Sequence, residues 1–203
     1  MKKIGITGTI ASGKTSVSIL LRRRGMQVFN SDKYGAMATH AGNPCFTKIT
    51  DAFGTGLIAE DGDIDRRKLA SIVFNNEEKR KLLNSIVHPY VREGLEKFIA
   101  RQEGGFCFAE VPLLYEAGFE DLFDEICVVT CSKETAVKRM MEDREYTEDE
   151  ALGRYNSQID PEIQIARADK VIYNDGTLAD LDHEINLWIR DLRKETRHGN
   201  QAG

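Results

Sequence analysis

The sequence predicts an α/β protein built on a parallel sheet with helices on both faces. Five short β-rich runs are separated by helical stretches, the pattern of strands joined by crossover helices. The first run, Ile4-Gly5-Ile6, leads straight into Gly8-Thr9-Ile10-Ala11-Ser12-Gly13-Lys14-Thr15, a glycine-rich loop of the form G-x-x-x-x-G-K-[ST], and from there into helical spacing. The stretch from about residue 32 to residue 101 is too long for a simple crossover. It reads as a helical insertion after the second strand.

Each element follows from local pattern. Residues 2–7 and 26–29 form the first two strands, with a helix over 14–23 between them. Gly25 is placed to end that helix. Within the insertion, Leu82, Leu83, Ile86, Val87, Val91, Leu95, Phe98 and Ile99 recur every three or four residues. Pro89 is expected to start a new turn or kink this helix. Strands follow over 106–109, 125–130 and 170–173, with helices over 132–143 and 148–158. A last helix carries Leu178, Leu181, Ile185, Trp188, Ile189 and Leu192 on one face, which reads as core packing. Residues 194–203 are polar and predicted to fray.

The loop after the first strand carries the chemistry. Its glycines let the backbone curl around phosphate oxygens, so that several N–H groups and the positive end of the next helix converge on one anion. Ala11, Ser12, Gly13, Lys14, Thr15 and Ser16 are the predicted nucleotide-binding residues. Lys14 would reach the β- and γ-phosphates, and the Thr15 hydroxyl would hold Mg²⁺.

Composition narrows the class. The chain has 203 residues, 41% hydrophobic and 30% charged, and a net charge of −5. That length suits one substantial core with insertions, and that charge argues against a broad nucleic-acid footprint. No stretch approaches the ~20 apolar residues of a membrane span, and Met1-Lys2-Lys3 leads into a strand rather than a signal-peptide apolar region. Cys45, Cys107, Cys127 and Cys131 form no C-x-x-C pair, so reduced thiols and a cytoplasmic setting are expected.

A phosphate loop does not decide the reaction. A regulatory GTPase would carry Asn-Lys-x-Asp and an Asp-x-x-Gly switch. Here Asn30-Ser31-Asp32-Lys33 has similar letters in the wrong order, and the third strand runs out as Ala109-Glu110-Val111-Pro112. A motor or transporter ATPase would need a larger fold. A small-molecule kinase is favoured by Lys138, Arg139 and Arg144 on and just after one late helix, ahead of a charged loop. Such cations could close over a transferring phosphoryl group, with Arg139 as the catalytic one. The alternative is a solvated face with Lys138–Glu142 and Arg139–Asp143 pairs.

The chain resembles the dephospho-CoA kinase family from Ile4 to about Leu181. The resemblance rests on the loop through Ser16, on Val28 to Lys33 with its aspartate at Asp32, and on Phe53-Gly54, Asp61-Gly62, Asp65-Arg66 and His88-Pro89. It continues through Val111-Pro112-Leu113-Leu114-Tyr115-Glu116, then Arg139, Arg144, the Arg154…Gln158 pair, and Ala168 to Gly176. It departs at Asn30, where the family usually has an acid, and at Thr9, Ala11 and Glu110. The resemblance implies a three-layer P-loop kinase fold with strand order 2-3-1-4-5. It implies transfer of the γ-phosphate of ATP to the ribose 3′-hydroxyl of dephospho-CoA. It also implies a nucleotide-binding core over about 1–31, 104–135 and 167–193, a helical CoA-binding insertion over about 32–103 and a lid over about 136–166. Another small-metabolite kinase, or a nucleotide-binding switch, is the alternative.

Roles follow from chemistry. Asp32, just past the second strand, is the expected base for the ribose hydroxyl; capping the helix near Lys33 is the other use for it. His88 is expected to line the substrate cleft, or to pack at a kink. Tyr115 and Glu116, after the third strand, are expected to contact the acceptor or position the lid. Glu110 would hold Mg²⁺ through a water. Asn174 and Gly176 close the fifth strand in a turn where the family places adenine. The expected partners are ATP, Mg²⁺ and dephospho-CoA, with no nucleic acid and no membrane, in a monomer or weak homo-oligomer.

Overall fold

The computed structural model describes residues 1–74 and 76–199, the side chains of 144 and 196–199 excepted. Five strands are present among the described residues: β1 (Lys2–Gly8), β2 (Val28–Asn30), β3 (Phe106–Glu110), β4 (Glu125–Thr130) and β5 (Lys170–Tyr173). They form a parallel sheet in the order β2-β3-β1-β4-β5. The register sets Ile4 opposite Phe108, Ile6 opposite Cys127 and Val129 opposite Ile172. The central strand β1 is the point from which the chain goes first to one side of the sheet and later to the other, where open α/β sheets hold ligands.

The chain divides into two compact units, residues 1–29 with 101–203, and residues 30–100. In the first, α1 (Lys14–Arg23) and α9 (Leu178–Gly199) share a core with the sheet. Ile4, Ile6, Leu21, Phe108, Val129 and Ile185 are all buried in that core. Trp188 meets the Phe108 ring edge-on at 5.4 Å and donates from Nε1 to Glu125 Oε1 at 3.0 Å, so this core residue also satisfies a buried carboxylate. Gly25, at φ +78°, ends α1 as its sequence position predicts. The unit also holds α6 (Lys133–Arg144), α7 (Glu148–Asn156) and α8 (Pro161–Ala166). The last was absent from the helical pattern because six residues are too few for periodicity to show. It is started by Pro161 and by Asp160, whose side chain accepts from Glu162 N–H at 2.9 Å. The predicted fraying is also revised, since α9 continues to Gly199; residues 200–203 lie outside the described part.

The second unit holds α2 (Ser31–Ala36), α3 (Pro44–Phe53), α4 (Arg66–Phe74) and α5 (Glu77–Ala100) around Ile49, Leu57, Ile64 and Leu69. Pro89 neither starts nor ends a helix: α5 runs through it as one 24-residue element. Pro89 and Ser85 are both exposed, so the carbonyl that loses its N–H partner can be met by water. Tyr34 of α2 stacks on Tyr90 of α5 at 4.7 Å, and Asn43 donates to the Tyr90 hydroxyl at 2.9 Å. A methyl group at Gly94 would collide with the Tyr34 ring, so the bare backbone there lets α2 seat on α5. That packing fixes the helix carrying Asp32. All four cysteines are buried and unbridged. No helix among the described residues is long and apolar enough to cross a membrane.

Candidate active site

The site begins where β1 ends. Gly8 has φ +142°, and a Cβ there would run into the Val129 carbonyl of the neighbouring strand, so only glycine lets the chain leave the sheet at this point. The loop turns through Ala11 in the left-handed region, φ +57°, and through Gly13 at φ +99°. Gly13 is the N-cap of α1 and its carbonyl accepts from Val17 N–H at 3.0 Å. No side chain caps this helix and no acidic residue lies in its first turn, which leaves its positive end for an anion. The Lys14 ammonium lies over the loop, donating to the Gly8 carbonyl at 2.8 Å and the Thr9 carbonyl at 2.6 Å. Ser16 is half-buried one residue beyond Thr15 in the same first turn. The Thr9 and Ser12 hydroxyls are buried without a hydrogen-bond partner among the described residues.

Glu110, at the end of β3, is almost fully buried and accepts from the Thr15 hydroxyl at 2.9 Å. One hydroxyl and one carboxylate make a small set of hard oxygen donors, which suits Mg²⁺, a cation that keeps most of its own waters.

Side chains from late in the chain hydrogen-bond to the loop. Arg139 of α6 donates to the Ala11 carbonyl at 3.3 Å and to the Asn174 carbonyl at 2.9 Å. It turns inward, whereas Lys138 makes the surface pair with Glu142 at 3.9 Å. The Arg144 side chain lies outside the described residues. Asn174, itself buried, donates from Nδ2 to the Ser12 carbonyl at 2.8 Å. Its amide and its carbonyl are therefore both engaged with protein at the loop. Gly176 follows in the turn, where a methyl group would crowd the Asp180 carboxylate at 2.7 Å. Two contributors carried no assigned role in the sequence reading. Asp175 accepts from Ser132 N–H at 2.8 Å and from the Thr135 hydroxyl at 2.7 Å, tying the end of β5 to the start of α6. Its slight burial works to raise its pKa, but these hydrogen bonds outweigh it and hold the carboxyl below the usual range. Gln158, after α7, accepts from Ile10 N–H at 2.7 Å.

Tyr115 is buried, with its hydroxyl 3.5 Å from the Gln164 carbonyl of α8 and the Arg167 guanidinium 4.2 Å over its ring. Burial pushes its phenol pKa up. Its neighbour Glu116 is exposed. In the second unit, Asp32 sits in the first turn of α2, but the cap is Asn30, whose Oδ1 accepts from Lys33 N–H at 2.8 Å. This corrects the expectation that Asp32 could serve as the cap and gives Asn30 a structural task. An Asn cap leaves the Asp32 carboxylate clear of that duty. His88 is half-buried in α5, and burial lowers its pKa, favouring the neutral ring. The first unit thus gathers Ala11 to Ser16, Glu110, Arg139 and Asn174 at one end of the sheet. Asp32 and His88 belong to the second unit.

The model of the dephospho-CoA kinase family matches residues 2–180. A dephospho-CoA kinase from Bacillus cereus is 39% identical over 191 residues, covering 93% of this chain and 96% of the relative. A solved structure from Thermus thermophilus has a TM-score of 0.81 and 34% identity, covering 94% of this chain and 97% of that one. The dephospho-CoA kinase from Campylobacter jejuni has a TM-score of 0.71 and 29% identity, covering 95% and 98%. With the phosphate loop, its lysine and its arginine assembled at the carboxyl end of β1, this chain belongs to the dephospho-CoA kinase family.

Proposed function

We propose that the chain transfers the γ-phosphate of ATP to the ribose 3′-hydroxyl of dephospho-CoA, giving CoA and ADP. The observation that carries this reading is the loop from Gly8 to Thr15, held open at the uncapped start of α1 and flanked by Lys14 and Arg139. Phosphoryl transfer needs cations around oxygens whose charge shifts, and fixed backbone dipoles that do not reorganise during the reaction. The buried Ser12 and Thr9 hydroxyls, without partners among the described residues, suit phosphate oxygens.

In this reading Lys14 leaves the Gly8 and Thr9 carbonyls to hold the β- and γ-phosphates. Arg139, which donates to the Ala11 and Asn174 carbonyls, is assigned to the charge of the transferring group. Thr15 and Glu110 would hold Mg²⁺, which neutralises phosphate charge when bound. Asp32 orients the ribose hydroxyl and takes its proton as the new bond to phosphorus forms. A neutral His88, Tyr115 and Glu116 are assigned to the acceptor. Residues 32–103 are assigned to acceptor binding and residues 136–166 to the lid, and Arg144, Asn174 and Gly176 are assigned to the nucleotide.

A coupled assay of ADP release tests the assignment. Dephospho-CoA should stimulate release, while nucleosides, shikimate and gluconate should not. Stimulation by one of the others would assign a different acceptor, and stimulation by none would favour a nucleotide-binding module.

A further inference from the structure

Three consecutive residues at the crest of the phosphate loop are held from outside by long-range side-chain hydrogen bonds. Ile10 N–H donates to Gln158 Oε1 at 2.7 Å, the Ala11 carbonyl accepts from Arg139 at 3.3 Å, and the Ser12 carbonyl accepts from Asn174 at 2.8 Å. A trans peptide is planar, with its C=O and N–H pointing opposite ways. Each outside bond therefore fixes the direction of the other half of its peptide. Ile10 and Ala11 also pack against Val137, Met140 and Ala151, the small apolar core shared by α6 and α7. The crest of the loop is thus part of that helical segment's own packing.

Arg139 and Asn174 already have places in the reaction; Gln158 has none. We infer that Gln158 is a positioning residue for phosphoryl transfer. It fixes the peptide between Thr9 and Ile10, so that the loop crest and the α6–α8 segment move as one body and water stays out of the closed site. The residue type fits the task. A glutamine oxygen accepts the N–H without bringing negative charge to a triphosphate, whereas a glutamate would accept equally well and repel the nucleotide. The inference rests on the reading of the loop as the seat of ATP.

The test compares the wild-type protein with Gln158→Met, which keeps side-chain length and loses the acceptor, and with Gln158→Glu. Gln158→Met should lower kcat for CoA formation about five- to tenfold, the equivalent of one lost hydrogen bond. It should also raise the ATP consumed per CoA formed above one. Gln158→Glu should keep that ratio near one and raise KM for ATP. Amide exchange at Ile10, followed by NMR without substrate, should be faster in Gln158→Met than in wild type. A packing role would lower Tm alone. Unchanged kcat and coupling in Gln158→Met, or unchanged exchange at Ile10, overturns the inference. Failure of the wild type to make CoA would overturn the assigned reaction instead, while the exchange experiment still decides whether Gln158 holds the crest.

Discussion

The Nδ2 amide of Asn174 donates to the carbonyl of Ser12 at 2.8 Å, and a methyl group on the next residue, Gly13, would collide with that same nitrogen. One buried amide thus fixes the peptide before α1 and makes any side chain at Gly13 costly. Holding the Ser12 carbonyl outward turns the Gly13 N–H the opposite way, toward the inside of the loop. Gly13→Ala adds the collision to a left-handed backbone at φ +99°. Strain of that kind costs about 1–3 kcal/mol, so ATP affinity should fall roughly 10- to 100-fold. Titration with ATP checks this. Adding Asn174→Ala should not rescue the variant, because the strain remains and the anchor is lost.

Arg139 reaches two carbonyls from one guanidinium, on Ala11 and Asn174. A lysine carries the charge but not the fork. Arg139→Lys should therefore lose kcat by about 10²–10³-fold, with a smaller change in KM for ATP. Steady-state kinetics at saturating dephospho-CoA measure both. A kcat within twofold of wild type would return Arg139 to a purely structural place.

Asp32 shares the first turn of α2 with a cap that Asn30 supplies. Asp32→Asn should then leave α2 in place and ATP binding within about twofold, while kcat falls about 10²–10⁴-fold. Melting curves and ATP titration separate this result from misfolding. Retained turnover would remove Asp32 as the base.

Asp175 joins β5 to α6 through Ser132 and Thr135, and these bonds keep its folded pKa below the ordinary aspartate value. A lowered folded pKa means a contribution present above the unfolded pKa of about 3.9 and lost as pH falls through the folded one. The Tm gap between wild type and Asp175→Ala should be constant at neutral pH and close under acid, below about pH 4. Scanning calorimetry across that range tests it, and a gap that widens toward acid would reverse the assignment.

What could be read in advance followed from local constraint. The loop was legible because Gly8, Gly13 and Lys14 stand at the fixed spacing of a phosphate-binding motif directly after a strand, and the two glycines take the positive φ angles such a turn needs. The sheet was legible because a strand buried on both faces, such as Glu125–Thr130, reads as a continuous β-rich run. The Gln158 and Asn174 contacts were not legible as geometry. They join residues 148 and 162 positions apart, and no periodicity records such a pairing. Capping, the second use the sequence offered Asp32, falls to Asn30 instead, because it is Asn30 that has the extended backbone angles of an N-cap. The short α8 was not legible because six residues are too few to show a pattern, whereas α5 was legible from its periodicity and carries Pro89 on its exposed face without ending there.

ATP radiolabelled on its γ-phosphate, incubated with the protein and dephospho-CoA, shows where the phosphoryl group goes. The label should appear in CoA as a phosphomonoester on the ribose 3′-oxygen, in step with ADP. Label that stays in ATP, or that appears only as inorganic phosphate, would contradict the account.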